Sequence, residues 1–127
     1  MEERKFFPKN ERLFLQKEID SLFDTGHSFV SYPLRITYLS RINSPASKSG
    51  ISILVSVPKK RIKSAVKRNR IKRLIRESFR LNKNETSERC QQKGKTLHIA
   101  FLYIGNEVKP FAHIEKAVKK ALKTVEK

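Results

Sequence analysis

The sequence is short of cysteine, of glycine and of long apolar runs, and each shortage excludes a class of protein. Cys90 is the only cysteine, which excludes an internal disulfide and a multi-cysteine metal site. Four glycines in 127 residues leave no glycine-rich loop for nucleotide phosphates. No apolar run approaches the roughly 20 residues that span a bilayer, and the first residues lack the apolar middle of a secretion signal. We expect a cytoplasmic protein without a membrane partner.

Side chains that could form a catalytic or metal site are also few. The histidines are far apart and lack metal-ligand spacing: His27, His98 and His113. Glu85 and Glu88 fall in a polar segment, where a solvated surface explains them better than acid–base chemistry. Cys90 has no histidine near it in the sequence that could activate it as a nucleophile. We interpret the chain as one that supplies no catalytic side chains and binds no cofactor or metal by itself.

Acidic residues are scarce, and the excess positive charge is concentrated in one segment. The chain has 29 lysines and arginines against 12 acidic residues, a formal charge of +17. Between Lys59 and Arg80, 11 of the 22 residues are basic and Glu77 is the only acid, so +10 lies here and +7 elsewhere. This concentration predicts a polyanionic partner, most commonly a nucleic acid.

The basic segment is amphipathic when it is read with the period of a helix, and Ser64 is placed to cap its N-terminus. One side carries Ile71, Leu74, Ile75, Ser78 and Phe79. The opposite side carries Asn69, Arg70, Arg73, Arg76 and Arg80. Burial of the four large apolar side chains, at about 1.5–3 kcal/mol each, outweighs repulsion among surface charges. The segment is therefore predicted to fold with its arginine side outward.

Before the basic segment, the pattern predicts a helix and strands. Residues 1–14 are interpreted as an extended arm broken by Pro8, and the following residues as a short helix that ends at Gly26. One face of this helix carries Ile19, Leu22 and Phe23. Two strand-like stretches follow, residues 28–42 and 51–57, with a turn-like segment between them. Because their connection is short, the two strands are expected to form a hairpin.

After the basic segment, one strand and one helix are predicted. Residues 82–96 are polar and without periodicity, which predicts a mobile loop. Residues 97–105 are almost entirely apolar, as in a strand covered on both faces. The last helix starts at Pro110 and buries Phe111, Ile114, Val118, Ala121 and Val125. The order of elements indicates a single α/β domain of residues 1–127.

A basic amphipathic helix is compatible with several kinds of partner. An anionic membrane or a calmodulin-type partner would need the apolar face of the helix to be free, whereas here the strands need it for the core. A DNA-binding module is disfavoured because no helix-turn-helix pair or dimerisation stripe is evident. Arginine pairs bidentately with phosphate, and Asn69 offers groups suited to a base edge or a 2′-hydroxyl. Charge alone does not distinguish RNA from DNA.

The basic segment also resembles the signature of a known family, the protein subunits of bacterial ribonuclease P. The stretch of this chain that is similar to the signature is KRNRIKRLIRESFR, with VPKK before it. Within this stretch, Arg68-Asn69-Arg70 matches the Arg-Asn-Arg core of the signature. Near the start of this chain, the stretch ERLFLQKEIDSLFDTGHSF is similar to the opening segment of the family. The later strand and the closing helix come in the family's order, so the resemblance covers nearly the whole chain.

The resemblance implies a fold, a two-layer α/β (α+β) sandwich similar to a ribosomal-protein domain. Its order is αβββαβα, with a four-stranded, mostly antiparallel sheet and a left-handed crossover that carries the basic helix, an exception to the usual handedness.

The resemblance also implies a role. Ribonuclease P is the endonuclease that removes the 5′ leader of precursor tRNA, and its catalyst is a large RNA that uses Mg²⁺. This chain is then expected to bind the ribonuclease P RNA and precursor tRNA, without an obligatory protein partner. The alternative is a structural ribosomal protein or an RNA chaperone with a similar helix.

Two binding sites follow from the resemblance. The residues expected to contact the catalytic RNA are Lys59, Lys60, Lys67, Arg68, Asn69, Arg70, Lys72, Arg73 and Arg76. A cleft between the first helix and the sheet is expected to hold the single-stranded leader, with Ile19, Phe23, Arg35 and Tyr38 as candidates. Phe23 could stack on a base or pack in the core. Ile19 stands where the family often has phenylalanine, so leader affinity or nucleotide preference is expected to differ here.

Overall fold

The structure is a computed structural model that describes residues 16–41 and 50–126. The helices are α1 (Gln16–Thr25), α2 (Ala65–Asn82), α3 (Asn84–Gln92) and α4 (Phe111–Glu126). The strands are β1 (His27–Ser31), β2 (Leu34–Arg41), β3 (Gly50–Ser56) and β4 (Thr96–Tyr103). The order αβββααβα agrees with the predicted order except for α3, and the predicted arm, residues 1–14, lies outside the described residues.

The four strands form one sheet in the order β1-β2-β4-β3. β2 pairs antiparallel with both β1 and β4, whereas β3 pairs parallel with β4. The predicted four-stranded, mostly antiparallel sheet is therefore confirmed. The parallel pair requires a crossover connection, which α2 and α3 provide between β3 and β4. The left-handed sense of this crossover stays a prediction.

The predicted hairpin between the strands on either side of residues 43–50 is wrong. β2 and β3 do not pair, because β4 lies between them. β4 is buried on both faces from Leu97 to Phe101, and a central position covers such an apolar strand better than an edge position. The observed hairpin is β1–β2, which turns at Tyr32-Pro33 within the segment that was predicted as one strand.

α2, α3 and α4 cover one face of the sheet and enclose the main core with it; we call them the helical layer. The sheet contributes Leu34, Ile36, Ile53, Ile99 and Phe101 to this core. α2 contributes Ile71, Ile75 and Phe79, with Leu74 partly buried against them. α4 contributes Ile114, Val118, Ala121 and Val125, while Phe111 is half-buried. The apolar stripes predicted for the basic helix and for the last helix are confirmed.

α1 packs on the opposite face of the sheet, which we call the open face. Leu22 is fully buried there against Ala100, Leu39 and Leu54. The helix ends at Gly26, as predicted, and the Gly26 N–H donates to the Leu22 carbonyl at 2.9 Å. A Cβ at this position would lie 2.3 Å from that oxygen and 2.8 Å from the Tyr38 carbonyl oxygen. Only glycine fits where the chain leaves the helix so close to β2.

The mobile loop predicted for residues 82–96 is also wrong, because most of this segment is helical. α2 continues to Asn82 and α3 follows after a single residue, Lys83. Thr86 and Cys90 lie four residues apart and are both buried, so one side of α3 packs on the rest of the protein. The polar composition concealed this short buried side, since only two of the nine residues of α3 provide it.

Candidate RNA-binding surfaces

The outer side of α2 carries the charge that the sequence places on this helix. Asn69, Arg70, Arg73 and Arg76 are exposed; we call these four residues the arginine face. Ile71, Ile75 and Phe79 are fully buried on the other side of the same helix. Because helical positions three and four residues apart share a side, burial of this apolar set directs the intervening residues outward. The predicted division into a buried apolar side and an outward arginine side is confirmed.

The lysines next to the arginine face differ in exposure. Lys67 is exposed in the first turn of α2, and Lys72 is half-buried in the middle of the helix. Ser64 caps the helix as predicted: its Oγ accepts a hydrogen bond from the Lys67 backbone N–H at 3.3 Å. The cap satisfies one of the free N–H groups of the first turn and fixes the direction in which α2 starts.

A turn immediately before α2 presents two more of the predicted residues. The N–H groups of Arg61 and Ile62 both donate to the Pro58 carbonyl, at 3.1 and 3.2 Å. Lys59 and Lys60 are exposed within this turn, while Ile62 is buried in the main core. The buried isoleucine anchors the turn, so the two lysines are held next to the start of the basic helix.

Arg68 is placed differently from the other basic residues of the motif. It is half-buried, and its Nη1 donates to the Ile62 carbonyl at 3.0 Å and to the Lys63 carbonyl at 2.9 Å. This guanidinium group therefore fastens the preceding turn to α2. The sequence suggested an RNA contact, and it contained no sign of these bonds, because they join a side chain to backbone atoms.

Arg80 lies at the end of the arginine-rich side of α2 and pairs with Glu77, the acid of the basic segment. Its Nε donates to Glu77 Oε1 at 3.0 Å, and its Nη2 bonds the other carboxylate oxygen. The hydrogen bond from Arg80 holds the pKa of the Glu77 carboxyl below its ordinary value. The carboxylate of α2 is thus engaged by its own helix and lies one turn beyond Arg73.

A groove separates the start of α2 from the loop that follows β4. On the α2 side it is lined by Lys63, Lys67 and Arg70, and on the loop side by Asn106, Glu107 and Val108. The groove opens next to the arginine face because Lys67 and Arg70 belong to the first two turns of α2. Sequence reasoning missed Lys63, although it lies in the basic segment, and it missed the loop residues, which are distant from α2 in the chain.

Tyr103 holds this loop in place from the end of β4. Its buried hydroxyl donates to the Glu107 carbonyl and accepts a hydrogen bond from the Lys109 N–H at 3.2 Å. Arg61 adds a longer bond to Asn106 Oδ1, at 3.4 Å. Burial raises the pKa of the Tyr103 phenol above its ordinary value. The neutral phenol, which the bond to the Glu107 carbonyl requires, is therefore favoured in the folded protein.

Part of the predicted leader site lies on the open face. Phe23, on α1, is 57% exposed, which excludes packing in the core as its role. Arg35 is exposed, and its register partners are Val30 in β1 and Leu102 in β4. Side chains directly opposite in antiparallel strands lie on the same face. The open face therefore combines exposed or half-buried apolar side chains with the charge of Arg35.

Tyr38 is not brought together with Arg35. It is three residues further along β2, so its side chain points to the opposite face of the sheet, toward the helical layer. Its ring is half-buried and contacts the rings of His27 and Phe29, with centroids 5.6 and 5.9 Å away. Ile19 belongs to α1, and its side chain lies outside the described part of the structure.

The remaining titratable candidates are dispersed. His98 is buried in β4, whereas His27 and His113 are exposed on different elements. Cys90 is buried in the main core at 4% exposure. Within residues 16–41 and 50–126, no group of three or more histidines, cysteines or acids could hold a metal ion. None of the helices in these two ranges is long and apolar enough to cross a membrane.

Comparison of the sequence with known proteins identifies relatives along most of the chain. The family model described as Ribonuclease P matches residues 7–126. A relative from Porphyromonas gingivalis, the "Ribonuclease P protein component", is 45% identical over 114 residues, which cover 90% of this chain and 82% of that protein. A protein of the same name from Chlorobium phaeobacteroides is 36% identical over 103 residues, covering 76% and 70%.

Solved structures show the same fold at lower sequence identity. The RNase P protein of Staphylococcus aureus aligns with a TM-score of 0.67 at 21% identity and covers 91% of this chain and 94% of that one. The RNase P protein of Thermotoga maritima aligns with a TM-score of 0.65 at 24% identity, covering 90% and 96%. The family model matches nearly the full length, and the relatives are well above 30% identical over most of their own length. The chain belongs to the family of ribonuclease P protein components.

Proposed function

We propose that this chain is the RNA-binding subunit of ribonuclease P and assists a catalytic RNA in removing the 5′ leader from precursor tRNA. Membership of the family supports a role in tRNA processing, as part of an endoribonuclease with an RNA partner. The observation that carries the finer proposal is the division of α2 into a fully buried apolar side and an outward arginine face. The backbone from which these guanidinium groups project is already helical before binding, so it does not have to be ordered by the RNA.

The arginine face is the proposed contact with the RNA subunit. Guanidinium groups bind phosphate oxygens bidentately, and the amide of Asn69 can bind a base edge or a 2′-hydroxyl. Lys59 and Lys60 extend the positive surface because the turn before α2 holds them beside the first helical turn. Lys67 and Lys72 add charge along the same helix. If about six phosphates are engaged, log affinity falls against log salt with a slope near −4.

The open face is the proposed site for the 5′ leader. A single-stranded segment can stack a base on the exposed ring of Phe23, a contact that contributes roughly 1–3 kcal/mol in single-strand binding. Arg35 supplies a charge for the leader backbone between Val30 and Leu102. α1 and the helical layer lie on opposite faces of the sheet, so the leader and the RNA subunit do not compete for the same residues.

Mg²⁺ is assigned to the RNA and not to side chains of this chain. Mg²⁺ prefers oxygen ligands in octahedral geometry and is commonly bound through carboxylates and phosphates. The carboxylate of α2, Glu77, is paired with Arg80, and the arginine face consists of donors and cations. These groups do not fit direct coordination of a cation. Beside a metal held by RNA, they bind and orient the phosphates.

Reconstitution tests the proposed function. The purified chain is mixed with a bacterial ribonuclease P RNA at low Mg²⁺, and cleavage of precursor tRNA is followed against RNA alone. We expect stimulated cleavage at the mature 5′ end and loss of the stimulation in an Arg70→Gln/Arg73→Gln variant. The matched control, Arg89→Gln/Lys93→Gln, removes the same charge from the exposed side of α3 and its end, and should still stimulate.

Two results would contradict the proposal. Absence of stimulation by a folded chain would favour a ribosomal or RNA-chaperone function. Equal loss of stimulation in the two double variants would show that only net charge matters, and the arginine face would then have no special role.

A further inference from the structure

A second positive surface lies on α4, outside the basic segment. From Lys109 to Lys127 the sequence has six lysines and two glutamates, so +4 of the charge outside the basic segment falls here. Four of these lysines are exposed on α4: Lys116, Lys119, Lys120 and Lys123. Their spacing of three and four residues places them on one side of the helix. We call this set the lysine face.

The lysine face contains no acid among the side chains that the structure describes. Glu115 is half-buried and turned toward α2, where its Oε2 accepts a hydrogen bond from Asn82 Nδ2 at 3.2 Å. Exposed helix surfaces that serve only solubility usually intersperse both signs of charge. Lys116 and Lys120, and Lys119 and Lys123, are instead like-charged pairs at i, i+4, which disfavour an isolated helix. The dipole of α4 favours lysine in its last turn but not Lys116 in its second.

The position of α4 indicates which polyanion this surface meets. α2 and α4 pack directly against each other on the same face of the sheet. Packed helices have axes about 8–10 Å apart, so the outer sides of these two helices are neighbours. The lysine face and the arginine face thus belong to the outer surface of one layer, and the leader residues Phe23 and Arg35 lie on the other side of the sheet.

We propose that the lysine face is a second contact for the RNA subunit, made to a backbone segment next to the one bound by α2. This inference rests on the proposed function. Lysine acts as a hydrated point charge, whereas arginine forms a planar fork; α4 contains lysines and no arginine. The second contact therefore adds affinity that depends on salt but reads no bases, and α2 supplies the directional contacts.

The test compares two variants with the same change in net charge. Lys116→Gln/Lys120→Gln removes two charges from the lysine face, and glutamine preserves helix propensity. The control, Arg89→Gln/Lys93→Gln, changes the charge equally at exposed positions of α3 and its end. Binding to ribonuclease P RNA, without tRNA, is titrated against salt, and circular dichroism verifies the fold of both variants. The lysine variant should bind more weakly, with a salt slope shallower by about 1.5, while the control keeps the wild-type slope.

Each other outcome overturns the inference in a recognisable way. If the control loses as much affinity as the lysine variant, only net charge acts. If the lysine variant binds the RNA like wild type but binds mature tRNA more weakly, the surface contacts tRNA instead. In both cases wild type still binds the RNA subunit and stimulates cleavage, so the proposed function stands. Failure of wild type itself to bind and stimulate would instead refute the proposed function.

Discussion

Nη1 of Arg68 lies 2.9 Å from the carbonyl oxygen of Lys63, and it also donates to the carbonyl of Ile62 at 3.0 Å. The first arginine of the Arg-Asn-Arg motif therefore binds the protein's own backbone. By joining the residues before Ser64 to the second turn of α2, it holds the turn that carries Lys59 and Lys60. Its contribution to RNA binding is then expected to be indirect, through the position of those lysines.

Replacing Arg68 should therefore remove more contacts between the protein and RNA phosphates than replacing an exposed arginine. In Arg68→Gln the turn before α2 is released, so the contributions of Lys59 and Lys60 are lost, and the salt slope should become shallower by about 1.5. Arg73→Gln should change it by less than one unit. The measurement is RNA affinity over a salt series. If Arg68→Gln has the same effect after Lys59 and Lys60 have both been replaced by Gln, Arg68 acts independently of them and this explanation is wrong.

The exposed arginines of α2 should act on binding and not on folding. Arg70→Ala and Arg73→Ala each remove one exposed cation while the buried side of the helix is unchanged. Each should reduce RNA affinity and make the salt slope shallower by about 0.7–0.9. The urea midpoint of unfolding should be close to that of wild type. A large fall in stability without a change in the salt slope would contradict a phosphate contact.

Phe23 should affect the leader specifically. The ring is 57% exposed, so Phe23→Ala removes little core packing and should leave the free energy of unfolding nearly unchanged. Loss of a stacked base should reduce affinity for precursor tRNA by about 1–3 kcal/mol and spare mature tRNA. Leu81→Ala, at a half-exposed position of α2, is the control and should bind both tRNAs like wild type. Equal losses for the two tRNAs would exclude a leader contact.

Tyr103 predicts a fall in stability at alkaline pH. Because burial raises the pKa of this phenol in the folded protein, the unfolded chain ionises first as pH rises above the ordinary value of about 10. The contribution of Tyr103 to the free energy of unfolding is therefore complete below that pH. It is lost as pH rises toward the pKa of Tyr103 in the folded protein.

The comparison with Tyr103→Phe isolates this group from other alkaline titrations. The variant lacks the bonds to Glu107 and Lys109, so it should be less stable at pH 8 by about 0.5–1.5 kcal/mol per bond. Its stability should then fall less steeply than that of wild type between pH 9 and pH 11, measured by urea unfolding. Parallel curves would show that Tyr103 does not contribute to the alkaline loss.

The helices were predictable to the extent that their own sequence contains the period of burial. α2 and α4 bury large apolar side chains every three or four residues, and the predicted sets agree with the buried ones except for Leu74 and Phe111, which are half-buried. The cap at Ser64 is equally local, since the bond spans three residues. α3 escaped prediction because its two buried residues, Thr86 and Cys90, are small and do not form a recognisable apolar stripe.

The strands show the opposite case. The strand character of β2, β3 and β4 was recognisable from composition, but their neighbours were not, because pairing joins residues that are distant in the chain. β4 lies between β2 and β3 in the sheet. This central position suits β4 because it is the most apolar strand and is buried on both faces. The separation of Tyr38 from Arg35 does not depend on strand order, because residues three apart in one strand point to opposite faces of the sheet.

By itself, the sequence determined the concentrated charge, the two-sided basic helix and the family motif, because composition and helical period are properties of neighbouring residues. Tertiary structure alone decided that Phe23 is exposed, that Arg68 binds carbonyl groups and that α2 and α4 present their cations side by side. Those outcomes depend on which surfaces pack together in the folded chain. Such packing joins residues that are distant in the sequence, so a local pattern does not predict it.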